Sequence, residues 1–339
     1  MNLDIRKQNI LLYIIDRYIQ TGEPVSSKAL CERLGVSSAT IRNEMMRLEE
    51  LGFLRQPHTS AGRVPTENAY RFYVDRMIGD VSLPENEKAE IDHLLSMPGA
   101  AMDTLLTKAL GLLSDLTGCA TISTMPDERA SAIRDVSVVK AGGRMVLLIV
   151  YTSCGVVQNG LLKLDHEPSD DLLAVINRVA AETFEGVAVA DVTPALIQTA
   201  VVSSGELMLE LSPVMFALYE LITKLRESGV LIEGQSNLLL GGAFDGEAAR
   251  QLLSFLNARE HIYSLLTGDE DFNIVIGRES NQDAMENASV LTTKYKLGDT
   301  SLGSIGIVGP TRMDYARMIA RLSYLADKIS GALSHLIDE

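Results

Sequence analysis

Three runs of helical apolar spacing, each closed by a glycine and all within the first 52 residues, constrain this chain more than any other feature. From Asp4 to Thr21, Ile10, Leu11, Ile14, Ile15 and Tyr18 recur at three- and four-residue intervals, which predicts one buried helical face. Gly22-Glu23-Pro24 breaks that run. Ser26 or Ser27 can then cap a second helix through Ala29, Leu30 and Leu34, stopped by Gly35, a residue that enters the left-handed conformation without a side-chain penalty. Ser37 or Ser38 can cap a third, Ala39 to Leu51, closed by Gly52. Two short helices joined by a Gly-containing turn are a helix-turn-helix candidate.

Laid out at about 100° per residue, Ile41, Met45 and Leu48 of the third helix fall within about 60° of one another. The opposite face centres on Ala39, Asn43, Met46 and Glu50, with Thr40, Arg42 and Arg47 on its flanks. A small, polar, partly cationic face suits a recognition helix, because Asn can bond adenine and Arg guanine in the major groove, while Ser37, Ser38 and Thr40 can bond phosphate. A solvated helix face would look similar in isolation. The residues after the helix favour recognition: Phe53 to Pro57 is strand-like, Val64 opens a second strand, and the polar loop His58 to Arg63 lies between them. That is a wing, and its Arg55, His58 and Arg63 are expected over the DNA backbone or in the minor groove. Tyr70, Phe72 and Tyr73 are expected to pack the wing against the following helix.

The net charge of -15 argues against a nucleic-acid binder only until it is divided along the chain. Residues 1 to 77 carry 11 Lys and Arg against 9 Asp and Glu, and the rest 19 against 36, so the acidity belongs to the C-terminal part. No apolar run approaches the ~18 residues of a membrane span, and the N-terminus is charged, so the chain is expected to be soluble and cytoplasmic. Cys31, Cys119 and Cys154 are too few and too scattered for a disulfide framework or a metal site and read as reduced thiols.

Beyond the wing, Asn86 to Leu95 and Met102 to Leu116 read as helices, and Asp135 to Lys140, Arg144 to Tyr151 and Gly155 to Lys163 as consecutive antiparallel strands. Leu172 to Phe184 is helical, as is Leu207 to Leu225, whose Leu, Met and Phe content exceeds what one small core needs and points to burial against a partner. Phe272 to Gly277, Ala288 to Tyr295 and Gly303 to Val308 are strands, and Met313 to Leu336 is a long amphipathic helix. The sum is an α+β chain.

The run Arg55-Gln56-Pro57-His58-Thr59-Ser60-Ala61-Gly62-Arg63-Val64-Pro65-Thr66, followed by Tyr70-Arg71-Phe72-Tyr73-Val74-Asp75, resembles the HrcA family of heat-inducible transcription repressors. Gly234 to Leu239, Ile274 to Glu279 and Gly306 to Tyr315 resemble the same family in the same order, so the resemblance covers essentially the whole chain. Ala69 departs from it, where the family usually has Gly. The resemblance implies a repressor that binds an inverted-repeat operator of chaperone operons as a homodimer, supported by a GroEL-type chaperonin. It also implies a GAF-like α/β domain interrupted by an inserted dimerisation domain. The expected division is 1–77 winged helix, 78–104 helical linker, 105–186 with 268–339 GAF-like domain, and 187–267 insertion.

Enzyme signatures do not survive inspection. Gly303, Gly306 and Gly309 are not spaced as G-x-G-x-x-G, and Pro310 stands where a phosphate-binding helix would begin. Asp269, Asp271 and Asn273 mimic a calcium loop, but Ile274 and Ser280 occupy the positions needing Gly and Glu. The five histidines have no ligand-like spacing and no nucleophile turn is present, so neither catalysis, metal nor cofactor is expected. The alternative that remains is a winged-helix regulator whose GAF-like domain binds a small effector.

Overall fold

Three side-chain caps set the beginnings of the first three helices. Asp4 accepts from Lys7 N at 2.9 Å, Ser26 from Ala29 N at 3.4 Å and Ser37 from Thr40 N at 3.2 Å. They open α1 (Ile5–Thr21), α2 (Ser27–Leu34) and α3 (Ser38–Glu50), the first two closed by Gly22 and Gly35 in left-handed conformation at φ 71° and 64°. A two-residue hairpin, β1 (Leu54–Arg55) with β2 (Val64–Pro65), then leads into α4 (Glu67–Arg76). The structure is a computed structural model describing residues 3–58, 61–79, 81–96, 102–125, 131–226, 229–240, 244–268, 270–298 and 300–338. Thr59 and Ser60 of the expected wing, and Asp269 of the calcium-like run, lie outside the described residues.

After α5 (Glu85–Leu95) and α6 (Met102–Thr117) the chain enters β3 (Ala120–Thr124), every residue of which is buried. Its alternation is carried by only two apolar residues, Ala120 and Ile122, too short a signal to announce a strand. Its polar side chains are satisfied internally: Thr121 Oγ1 donates to Leu110 O at 2.9 Å and Ser123 Oγ to Ser304 O at 3.0 Å. β3 is second in a five-stranded antiparallel sheet of order β7-β3-β10-β9-β8, completed by β7 (Val230–Glu233), β8 (Phe272–Ile276), β9 (Ala288–Leu297) and β10 (Thr300–Pro310). One face carries α5, α6 and α13 (Tyr315–Asp338) through Leu106, Leu113, Ile307, Leu322 and Leu325. The other buries Ile122, Val290 and Val308 under α11 (Gly246–Asn257) and α12 (Arg259–Leu266), which follow the short α10 (Asn237–Leu240).

The three expected hairpin strands form, as β4 (Ile133–Gly142), β5 (Met145–Thr152) and β6 (Val157–Lys163), but they make a sheet of their own. With α7 (Asp170–Phe184), α8 (Pro194–Ser203) and α9 (Met208–Lys224) they enclose a separate core around Val136, Leu148, Ile176, Leu218 and Ile222. The unit interrupting the larger sheet therefore spans about 131–226, whereas the resemblance implies 187–267. The physical reason lies in β7 and α10 to α12, which fall inside the expected insertion yet pair with β3 or cover the larger sheet. Asn177 closes the β4 edge by accepting Val138 N at 2.7 Å and donating to Val138 O at 2.9 Å, in place of another strand. None of the three cysteines is in a disulfide, and burial pushes the Cys119 thiol up to about 11.

The segment expected as a linker is part of the body. Glu87 of α5 takes a two-point ion pair from Arg321 of α13, Nε to Oε2 and Nη2 to Oε1 both at 2.8 Å, and both side chains are buried. Chiefly through those hydrogen bonds, Arg321 holds the Glu87 carboxyl below the usual carboxylate range. The stability this supplies is full above the ordinary carboxylate pKa and is lost as pH falls through the depressed folded value. Glu87→Gln strands a buried guanidinium and is expected to cost about 3–5 kcal/mol. Denaturant titrations of both proteins from pH 7 to pH 3 check this: the difference should shrink as pH falls.

Candidate nucleic-acid interface

The third helix presents two faces of opposite character. Ile41, Met45 and Leu48 are buried in the core that also holds Ile10, Leu11, Ile14 and Leu30. Ala39, Arg42, Asn43, Met46, Arg47 and Glu50 are exposed. The Asn43 side chain makes no hydrogen bond among the described residues, leaving both its amide donor and its acceptor available to a base edge. Met46, half exposed at 49%, offers an apolar contact of the kind thymine methyl groups accept.

The flanking residues are held to different degrees. Ser37 Oγ caps the helix and lies 2.9 Å from Thr40 Oγ1, so these two hydroxyls are engaged with one another at the positive end of α3. Ser38, the first helical residue, is exposed beside them. Arg42 Nε donates to Ser27 Oγ at 3.3 Å, tying the recognition face to the start of α2, where Lys28 is also exposed. Sequence reasoning misses Lys28, although a basic residue close behind a serine cap is itself a phosphate-contact signal. Arg47 pairs with Glu50 at 2.8 Å, an exposed contact that a phosphate can replace at little cost.

The wing residues separate into three environments. His58 is exposed, and the His58 carbonyl accepts from Ala61 N at 2.9 Å. Arg55 is exposed at the base and lines a cleft of about 540 Å³ between the winged helix and the body, together with Asn68, Arg278 and Asn287. Arg63 differs from expectation. Its Nε and Nη2 both lie 2.9 Å from Glu49 Oε2, and the side chain is only 20% exposed. Arg63 thus ties the wing to the last turn of the recognition helix, because a carboxylate fourteen residues earlier folds back within reach.

The wing is also fixed through its backbone. Val25 N donates to Arg63 O and Arg63 N to Val25 O, both at 2.9 Å, so the wing lies against the turn between α1 and α2. A Cβ on Gly62 would stand 2.3 Å from Val25 O, which explains why only glycine fits there. Behind the wing, Phe53 meets Phe72 edge-on at 5.3 Å between centroids, and Tyr70 and Tyr73 are buried. Tyr70 also reaches the body, its ring 5.6 Å from that of Tyr315.

A capped trihelical head with an outward polar recognition face and a docked wing defines a DNA-binding transcription regulator of the winged-helix type. Residues 103–319 match the family profile described as the HrcA protein C-terminal domain, and residues 10–55 match that of an HTH domain. The heat-inducible transcription repressor HrcA of Acetivibrio thermocellus is 34% identical over 99% of this chain and 98% of its own length. That of Clostridium tetani is 32% identical over 98% and 96%. A crystal structure of a hypothetical protein superposes with a TM-score of 0.75 at 27% identity, covering 99% of this chain and all of that one. The chain belongs to the HrcA family, heat-inducible transcription repressors with a helix-turn-helix DNA-binding domain. No helix of the described residues is long and apolar enough to cross a membrane.

Gly62→Ala is expected to push the wing off Val25 and to cost about 2 kcal/mol or more of stability. Hydrogen exchange checks it, with accelerated exchange at Val25 and Arg63 and unaltered exchange within the inserted unit.

Proposed function

We propose that this chain represses chaperone operons by binding an inverted-repeat operator as a homodimer in the cytoplasm, its activity raised by a GroEL-type chaperonin. The observation that carries the reading is the outward face of α3, where Arg42, Asn43, Met46 and Arg47 stand exposed above a fully apolar buried face. Ser37, Ser38 and Thr40 at the start of the helix, with Arg55 and His58 on the wing, supply the backbone contacts. Arg63 acts through Glu49 by holding the wing in register. The chaperonin step rests on family membership.

The inserted unit, 131–226, is read as the dimerising element. Val202 is 69% exposed, Met208 41%, Leu209 81% and Phe216 40%, an apolar set on α8 and α9 beyond what a solvated surface needs. The five-stranded antiparallel sheet, with helices on both faces, is read as the GAF-like scaffold that carries head and inserted unit. A two-fold dimer would present two recognition helices to two half-sites of a palindrome.

Two sets of variants test this. In anisotropy titrations at one fixed salt, the protein is expected to prefer an inverted repeat over a scrambled duplex by ~10³ or more, and chaperonin to strengthen it. Asn43→Ala or Arg42→Ala is expected to cost about 1–3 kcal/mol on the repeat and little on the scrambled duplex. Unchanged affinity in both would remove α3 as the reading element. Leu209→Asp is expected to shift the protein from dimer to monomer in sedimentation at micromolar concentration and to weaken the palindrome far more than a half-site. A dimer that survives the substitution places the interface elsewhere.

A further inference from the structure

The winged helix meets the body through oriented polar contacts at two separate points. On α4, Arg71 places Nε 2.8 Å from Glu279 Oε1, and its Nη2 bonds both Glu279 Oε2 and, at 2.5 Å, the carbonyl of Ile274. At the end of α1, Arg312 reaches from the turn before α13 to the carbonyls of Tyr18 at 3.4 Å and Ile19 at 3.3 Å. There it faces the negative end of a helix dipole, with its guanidinium 5.9 Å from the Tyr18 ring centre. Between these points stand the Tyr70–Tyr315 ring pair and the Glu67 carboxylate, which accepts Arg278 N at 3.4 Å. Gly277, at φ 55°, lets the body pass so close that a Cβ there would lie 2.6 Å from Glu67 Oε1.

Two features separate this junction from ordinary core packing. The Tyr70 hydroxyl is buried in it without a hydrogen-bond partner among the described residues, a cost that a surface built for cohesion alone would avoid. The polar contacts, moreover, are directional: a forked guanidinium on a carboxylate fixes angle as well as distance. That fork on α4, together with the Arg312 contact to two carbonyls at the end of α1, holds the head at two separated points, which resists rotation as well as sliding. Three stretches singled out in the sequence, 70–75, 274–279 and 306–315, converge here.

We propose that Arg71 and Arg312 are positioning residues: they clamp each reading head at a fixed angle to the body, and so set the half-site spacing that a dimer can engage with both heads. The proposal rests on the dimeric-repressor reading given above. A rigid pair of heads binds two half-sites only when their separation and helical phase match, whereas heads on a loose tether tolerate a range of spacings.

The test uses the full-length protein at one salt with a single half-site duplex and a series of inverted repeats whose spacer grows by one base pair across a full helical turn. Wild type is expected to vary about 10-fold or more across the series, because phase must match. Glu279→Ala and Arg312→Met, both outside the reading head, are expected to flatten the profile to within about threefold with half-site affinity kept. Arg71→Lys keeps the charge but not the fork, and should fall between. Without DNA, amide exchange in residues 67–76 and 274–279 should be faster in the Glu279 variant. A steep wild-type profile retained by both variants, or exchange that does not change, overturns the clamp alone. A flat wild-type profile overturns it together with the dimeric reading. Loss of half-site affinity equal to the loss on the repeat makes these residues merely structural, against the proposal.

Discussion

One apolar core runs without a break from the reading head into the body, and the rest of the molecule depends on it. Ile10, Leu11, Ile41 and Leu48 of the three small helices belong to the same cluster as Ile91 of α5, Leu106 and Leu113 of α6 and Leu322 and Leu325 of α13. A trihelical head of this size buries too little surface to be strongly stable alone. The cluster continues into the body where Tyr70 of α4 meets Tyr315 of α13, so the head is not cored on its own. The buried Glu87–Arg321 pair lies on the body side of this core, where it fixes which faces of α5 and α13 meet.

The same economy governs the head's charges. Of its basic side chains, Lys7 is committed to Asp4 and Glu44, Arg63 to Glu49 and Arg71 to Glu279. Only some of the cations counted in the sequence therefore face outward, among them Lys28, Arg42 and Arg55. Net charge overstates the electrostatic footprint of such a domain. On the proposed reading, affinity would lean more on base contacts from α3 and on two-headed engagement than on counterion release.

Local signals are legible in the sequence and distant ones are not. The beginnings and ends of α1 to α3 can be read because a serine or aspartate cap and a left-handed glycine act within a few residues of where they stand. The wing can be located, but the direction of Arg63 cannot, because it is decided by Glu49 on another element. β3 is invisible for a related reason. Its alternation has only Ala120 and Ile122 as apolar members, and the hydroxyl residues Thr121 and Ser123, though buried, pass for loop residues until their partners at Leu110 and Ser304 are known. Misplacing the insertion follows directly, since without β3 nothing marks where the larger sheet is first entered.

The entry point explains how the chain tolerates so large an interruption. β3 and β7 are antiparallel neighbours with Thr124 opposite Val230, and Met125 N donates to Gly229 O at 2.7 Å just beyond the last pair. The inserted unit therefore leaves and returns at adjoining ends of two paired strands, as the loop of a hairpin does. Closing a longer loop there adds little entropy cost, since that cost grows only logarithmically with length. It adds none at all to the sheet's own register. A separately cored unit on such a stem can evolve an apolar outer surface without disturbing the sheet that carries the reading head. On this architecture, one end of the body orients the head through Arg71 and Arg312 while the hairpin stem carries the surface assigned to dimerisation. The rigidity of the sheet between them is what would allow pairing of two chains to be felt as a fixed distance between two recognition helices.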